Sequence, residues 1–504
     1  MVRDRMFAHY FGAGTIMDAY YAAFRIPDFV YNIVIVGALS AGFIPVFMEV
    51  LMKDKKEAWR VTNAVITILG VILFFTCSAL FIFAPQLVSK LVPGFTGSTF
   101  DLTITFTRIM LLSPVLLGIS GVLSGVLQSF KSFLVYSLTP IMYNVGIIIG
   151  VVVLVPIFGL NGLAYGVVLG ALMHLLIQIP TLIHYGFNFK PLFLWRHPAV
   201  KKIGILLIPR TLGMATQQIS IVAITTISSL LASGSLTIFS LANNLQSVPS
   251  GIIGISFGMA IFPTLAELAT QDKKQEFVQR ISTTTRQILF LILPLTILFI
   301  LLRAQIVRVV LGTGKFDWEA TILTYQTLAF FSISLFAQSL IPMLARAFYA
   351  LQDTWTPFII GICSVTSNIF GALYFSKIFG VVGLAGAYSV SMVVQAALLW
   401  ILLRRKTYQL DEKNILTALL KMSIAIVGMG FTVQLLKIPL SYVVNMDRFW
   451  GILVQGFVCG SAGLLVYILL CRVMKLDEVF LFHQSLKRRW LKLWNVQTEV
   501  IESK

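Results

Sequence analysis

A few charged residues stand in otherwise apolar stretches of this chain, and they are the side chains best placed to do chemistry. Arg3 and Asp4 lie near the amino terminus beside Arg5. Asp18 and Arg25 precede Pro27 at the entry to a long apolar run, and Arg210 follows Pro209 inside ILLIPRTLGMATQQIS. An ion within hydrocarbon is expensive, so each must pair, reach an interface or meet a ligand. Arg108 and Arg346 lie close to the ends of their apolar runs and read as snorkelling side chains. Arg210 lies roughly two helical turns beyond Lys202, next to a helix-breaking proline, and is harder to explain that way. A structural ion pair, such as Arg3 with Asp4 or Asp18, is the plain alternative. Asn243 and Asn244, in SLANNLQSVPSG, add amide donors. Guanidinium groups around a cavity suit an anion, and phosphate above all, because the planar fork matches two oxygens at once.

Catalytic patterns are missing from the sequence. His9, His174, His184, His197 and His483 show no metal-ligand spacing. Cys77, Cys363, Cys459 and Cys471 lie singly in apolar runs and read as packing residues. No phosphate-binding glycine loop, nucleophile elbow or carboxylate pair occurs, so neither an enzyme nor an ATP-driven pump is expected, and no cofactor is called for.

The elements that must position the charges follow from composition. The chain has 504 residues, 58% hydrophobic and 12% charged, with a mean hydropathy of +0.91. A soluble core could not hide that much apolar surface. Apolar runs long enough to cross a bilayer are expected at about 28–52, 61–87, 104–128, 133–157, 161–184, 203–231, 236–263, 281–302, 320–350, 355–378, 380–403, 415–437 and 449–472. The opening MVRDRMFAHYFGAG reads as the second half of a further helix, its first half missing or its start codon called too late, which makes fourteen. Placing the loop after 28–52 in the cytoplasm puts sixteen Lys and Arg in inner loops and six in outer ones. Both chain ends are then cytoplasmic. The net charge of +18 needs no nucleic acid, because anionic lipid heads lie where most of it sits.

An internal repeat organises these spans. FIPVFMEVLMKDKKEAWR at 43–60 returns as IFPTLAELATQDKKQEFV at 261–278, with Pro45, Glu49 and Asp54-Lys55-Lys56 matching Pro263, Glu267 and Asp272-Lys273-Lys274. Asn144 and Asn368, and the Gly-Leu-Ala triplets at 162 and 383, echo in the same order. Six spans separate the copies, and an even number preserves direction, so two parallel bundles are expected to rock about a site between them. The divisions read as a first bundle at 1–184, a cytoplasmic linker at 185–202, a second bundle at 203–403, a two-helix addition at 404–472 and a cytoplasmic tail at 473–504. The linker segment Phe189–Lys202 is the expected pivot. In the tail, DEVFLFHQSLKRRWLKLW at 477–494 reads as an amphipathic helix on the membrane surface.

Specific strings carry a family resemblance. Arg3-Asp4, YFGAG (10–14), Asp18-Ala19, AFRIPDF (23–29), Gly37-Ala38 and FIPVF (43–47) closely resemble the opening of the MurJ/MviN lipid II flippases. LLASGS (230–235), VPSGIIGISFGMAIFPTL (248–265), LGTGKF (311–316) and ARAFYALQDTWTP (345–357) agree in order and spacing to about residue 400. The resemblance implies an all-α polytopic membrane protein with two parallel six-helix lobes, MATE/MurJ-like, plus two extra C-terminal helices. It also implies export of the undecaprenyl-pyrophosphate-linked peptidoglycan precursor across the bacterial cytoplasmic membrane. A cationic cavity would hold the pyrophosphate, and the last two helices would form a groove for the lipid tail.

Carried over residue by residue, Arg3, Asp4, Asp18 and Arg25 match the family's charged positions. Two family arginines fall instead at Tyr31-Asn32 and at Asn244, so Asn32 and Asn244 would donate hydrogen bonds where relatives use arginine. Arg210 stands where many members have a small residue and would restore one positive charge, with Asp4 and Asp18 orienting the arginines. Ile224 occupies the position of an acidic or amide residue in sodium-using members, so no sodium site of that kind is expected. The expected partners are the polyprenyl-linked glycan, anionic membrane lipids and cell-wall synthesis enzymes. A flippase for another polyprenyl-linked oligosaccharide, a multidrug exporter and a non-transporting scaffold remain the alternatives. Drug exporters of the wider superfamily need cavity carboxylates for cationic amphiphiles, and this chain offers mainly arginines.

Overall fold

The computed structural model describes residues 1–36 and 42–481, with side chains described except at 34–36 and 207–217. Among the described residues there are helices and connections but no strand. In chain order the helices are α1 (Val2–Phe11), α2 (Thr15–Ala23), α3 (Arg25–Val30), α4 (Ile44–Leu51), α5 (Lys55–Ile82), α6 (Ala84–Leu91), α7 (Gly97–Met110), α8 (Leu112–Ser129), α9 (Phe133–Ile149), α10 (Val155–Phe158), α11 (Asn161–Leu176) and α12 (Ile179–His184). They continue as α13 (Pro198–Ser229), α14 (Ser235–Ser250), α15 (Ser256–Thr270), α16 (Lys274–Leu301), α17 (Arg303–Val310), α18 (Trp318–Ser332), α19 (Leu335–Ala350), α20 (Trp355–Phe379), α21 (Val381–Thr407), α22 (Glu412–Val443) and α23 (Phe449–Val473).

Ten helices among the described residues are long and apolar enough to cross a membrane, and eleven if the pair α18 and α19, bent by 44°, is one span. All eleven coincide with spans read from the sequence. The other two, 28–52 and 203–231, run through residues outside those described or with undescribed side chains. The chain is thus an all-α, multi-pass membrane protein, because only helices or closed barrels satisfy every backbone group in hydrocarbon. The sequence repeat has a backbone counterpart. A π-helical turn at Tyr31–Val36 precedes α4, and another at Gly251–Ile255 precedes α15.

Two compact units are present. The first comprises Met1–Leu241, Val310–Leu323 and Val365–Ala387, and the second Ala242–Val309, Thr324–Ser364 and Tyr388–Lys504. In the first, small residues set the helix spacing. A methyl group added at Gly146 or Gly150 would run into the backbone of Gly170 or Gly166 on α11, so these glycines let α9 and the turn after it touch α11 directly. Ile224 is buried with Ile227, Ala372, Leu384 and Ala387 in an apolar cluster of the same unit.

In the second unit the final helix pair packs mainly through its own glycines. Gly428 meets Leu470, and Gly463 meets Val433 and Met429, all within α22 and α23. Gly430 and Gly460 face Leu301 and Leu302 beside α16. The opposite face of α22 exposes Leu420, Ile424, Val427, Phe431, Leu435 and Ile438. That stripe at helical spacing is suited to lipid.

The start of the tail departs from the surface helix expected over 477–494. Lys475 adopts a left-handed conformation (φ 53°), and the chain turns so that Leu476 and Val479 enter the unit's core. Glu478 is almost fully buried and meets Arg286 of α16 at 2.6 Å. Apolar side chains flanking one carboxylate supply an anchor that amphipathic spacing alone does not reveal. The rest of that segment, from 482 on, lies outside the described residues. At the neighbouring connection, Asp353 accepts from the Thr356 amide at 3.0 Å and hydroxyl at 2.6 Å, and pairs with Lys406.

Two stability measurements follow. Glu478→Ala should destabilise the purified protein by about 3 kcal/mol, since it strands a buried arginine, and Arg286→Ala by a similar amount. Thermal unfolding in detergent checks this, with Tyr408→Ala at an exposed connection as the unaffected control. Burial alone would raise the Asp353 carboxyl, but its bonds to Lys406 and Thr356 hold it down at about 2. A carboxylate held low stabilises the fold above its unfolded pKa and stops doing so as pH falls toward the folded one. The melting-temperature gap between wild type and Asp353→Asn should therefore be full at pH 7 and close between about pH 4 and pH 2.

Candidate functional site

Of the charged residues singled out by sequence, Arg3, Asp4, Asp18 and Arg25 lie on the first three helices. Each helix is short, from six to ten residues, and they are joined by tight connections, so the charges come close together. Gly12, at φ 69°, ends α1 in a conformation that glycine adopts without strain. Arg3 donates to Asp4 through Nε at 3.1 Å and Nη2 at 2.9 Å. The Asp4 carboxylate is buried. Arg3 in turn lies over the Phe7 ring, 5.8 Å from its centroid.

Arg25, at the first position of α3, is held by hydroxyls. Its Nε donates to Thr225 Oγ1 at 2.9 Å and its Nη2 reaches Ser240 Oγ at 3.5 Å. Both acceptors are buried, so a neutral pair of oxygens from α13 and α14 fixes the plane of this guanidinium. Asp28 lies within electrostatic reach of both Arg25 and Arg3. Sequence reading passed over it, although the spacing of Arg25 and Asp28 at i and i+3 on one helix was the signal. Tyr21 is buried among Asp4, Arg3 and Arg25. The Tyr20 and Tyr21 hydroxyls have no hydrogen-bond partner among the described residues.

Asp18 is placed differently from the arginines. Its Oδ2 accepts from the Gly234 amide at 2.6 Å, and its Oδ1 accepts from the Thr237 amide at 2.8 Å and hydroxyl at 2.6 Å. These are the free donors at the start of α14, where the helix dipole also favours an anion. The carboxylate therefore fastens α2 to α14, and the group that orients Arg3 is Asp4. Asn32 donates from Nδ2 to the Asp28 carbonyl at 2.9 Å, bonding back onto its own helix. Asn244 lies half-buried on α14 in the second unit. Arg210 belongs to α13, and its side chain lies outside those described.

The first unit thus brings Arg3, Asp4, Arg25 and Asp28 together with hydroxyl-bearing side chains, in surroundings that are otherwise apolar. Such a group can hold an anion by charge-assisted hydrogen bonds while the two carboxylates keep the empty state tolerable. Among the described residues there is no group of three His, Cys, Asp or Glu spaced to hold a metal.

Comparison with known proteins identifies the fold and the family. A solved structure titled "Lipid II flippase MurJ, inward closed conformation" superposes with a TM-score of 0.78 at 23% identity, covering 94% of this chain and 96% of that one. An inward-facing multidrug resistance MATE family transporter of the MOP superfamily gives 0.68 at 16% identity, over 82% and 94% of the two chains. Among curated proteins, the lipid II flippase MurJ of Burkholderia cenocepacia is 27% identical over 418 residues, 81% of this chain and 80% of its own length. A probable lipid II flippase MurJ of Vibrio cholerae is 31% identical over 415 residues, 79% of this chain and 78% of its own length. The family model described as "Lipid II flippase MurJ" matches residues 7–452. By that match, which takes in most of the chain, the protein belongs to the lipid II flippase MurJ family, and so to a family of transporters.

Proposed function

We propose that the protein flips a polyprenyl-pyrophosphate-linked glycan, the peptidoglycan precursor lipid II, across the bacterial cytoplasmic membrane by alternating access. The observation that carries this reading is the cluster of Arg3 and Arg25 among otherwise apolar helices, in a chain of this family. Two guanidinium groups held by Asp4 and by the Thr225 and Ser240 hydroxyls are oriented before substrate arrives, so little rotamer entropy is lost on binding a pyrophosphate. The full substrate-binding set in this reading is Arg3, Asp4, Asp18, Arg25, Asn32, Arg210 and Asn244. Asp18 contributes by fastening α2 to α14, and Arg210 supplies the cation that replaces one lost from the family pattern.

The remaining parts take their places around that set. Lobes at 1–184 and 203–403 rock across the linker at 185–202. The module at 404–472 takes the lipid tail along its exposed apolar stripe, and the C-terminus faces the cytoplasm. Anionic lipids surround the basic inner loops, and cell-wall synthesis enzymes receive the product.

Transport of fluorescent polyprenyl-pyrophosphate glycan in proteoliposomes tests the assignment. Arg3→Ala and Arg25→Ala should each slow transport roughly tenfold to a hundredfold, the loss of one or two charge-assisted hydrogen bonds. Arg210→Ala should match Arg3→Ala, and Arg210→Lys should recover only part of the rate, because an ammonium lacks the bidentate fork. Wild-type transport by a well-folded Arg210→Ala protein would remove Arg210 from the site. Failure of the unaltered protein to move the lipid at all would overturn the assignment.

A further inference from the structure

The connection between α12 and α13 carries features that the transport reading leaves unused. Residues 187–194 form no regular structure, yet the segment is fastened to α5 along its length. Asn63 Nδ2 donates to the Asn188 carbonyl at 2.9 Å. The Leu192 amide donates to Thr67 Oγ1 at 3.2 Å. His197 meets Glu57 at 3.0 Å, and Phe187 packs on Trp59 with ring centroids 5.4 Å apart. Trp59, Asn63 and Thr67 lie on successive turns of α5 and meet Phe187, Asn188 and Leu192 in the same order, so the connection runs beside that helix.

Its outward side chains are not those of a solvated loop. Phe189, Phe193 and Trp195 are 53%, 61% and 54% exposed. They alternate with Lys190 and Arg196, also exposed, and Arg196 stacks on Trp195 with 4.7 Å to the ring centroid. No Asp or Glu occurs from 185 to 202. The length of α5 gives the depth. Its 28 residues span about 42 Å at 1.5 Å per residue, against a hydrocarbon core of about 30 Å. With the apolar C-terminal end of α5 at one boundary, the other falls about 20 residues back, at Asn63, with Thr67 one turn further in. An irregular backbone cannot enter hydrocarbon, since its amides and carbonyls need water or protein partners. The headgroup layer meets both demands, taking rings that are apolar on one side and cations on the other.

We propose that residues 187–196 are a membrane peg: an ordered surface that inserts Phe189, Phe193 and Trp195 into the headgroup layer and binds anionic phospholipid phosphates through Lys190 and Arg196. The cytoplasmic side of this surface rests on the topology proposed above, whereas lipid binding itself does not. Because the peg is fastened to α5, it moves with the first lobe, and the pivot for alternating access narrows from Phe189–Lys202 to the start of α13.

The test uses the full chain with exposed Cys363 replaced by Ser, reconstituted in vesicles of phosphatidylglycerol with phosphatidylcholine. Phe189→Cys and Phe193→Cys each carry an environment-sensitive fluorophore, and Tyr408→Cys serves as the solvated reference. Lipids spin-labelled at the headgroup should quench the two peg sites several-fold more than lipids labelled at the chain end. Aqueous iodide should quench them less than Tyr408→Cys. Replacing phosphatidylglycerol by phosphatidylcholine, or combining Lys190→Ala with Arg196→Ala, should raise iodide access. The peg is refuted if iodide reaches 189 and 193 as readily as 408, as it would on a face for a soluble protein, or if phosphatidylglycerol has no effect. Failure of the unaltered chain to transport, with the quenching pattern intact, would count against the flippase reading and leave the peg standing.

Discussion

The dominant constraint on this molecule is the cost of holding arginine in a medium that cannot solvate it. An apolar scaffold of long helices can be built from leucine, valine, isoleucine and glycine with no charge at all. Arg3 and Arg25 therefore require accompaniment, and the structure supplies it locally. Asp4 lies next to Arg3 in sequence, Asp28 lies one helical turn from Arg25, and Thr225 and Ser240 add hydroxyls. The close helix contacts at Gly146, Gly150, Gly166 and Gly170 let α9 and α11 pack backbone against backbone.

Much of this was legible in the sequence because it depends on local spacing. Hydropathy placed the eleven spans whose helices are described, and the repeat at 43–60 and 261–278 reappears as two π turns in corresponding places. The Arg3–Asp4 pair follows from adjacency. The role of Asp18 did not follow, because its partners are 216 and 219 residues away. A carboxylate near arginines in sequence is naturally assigned to them, yet three donors at the start of α14 hold this one. Asp28 was passed over because it follows Pro27 in a run that reads as helix entry. The anchor at Glu478 was hidden for the opposite reason, since 477–494 has a clean amphipathic pattern and only the left-handed Lys475 turns its first residues inward.

The connection between α12 and α13 shows how backbone hydrogen bonding limits where a segment can lie. As sequence it is an ordinary basic, aromatic loop, free to act as a pivot. Its fastening to Asn63 and Thr67 makes it part of the α5 surface. The depth of Asn63 on a membrane-spanning helix, with Thr67 one turn further in, then sets it at the edge of the hydrocarbon, against the headgroup layer. Structural likeness to both a MurJ and a MATE transporter shows that the scaffold is shared. Within a shared fold, function is carried by the side chains of the site.

Direct binding tests the central claim, that the guanidinium pair recognises pyrophosphate. Native mass spectrometry of the intact protein would compare a polyprenyl-pyrophosphate glycan with the same glycan on an uncharged polyprenol of equal length. The account predicts retention of the pyrophosphate lipid only, and its loss when Arg3 and Arg25 are both replaced by glutamine. Equal retention of the uncharged lipid, or undiminished binding by the doubly substituted protein, would contradict it.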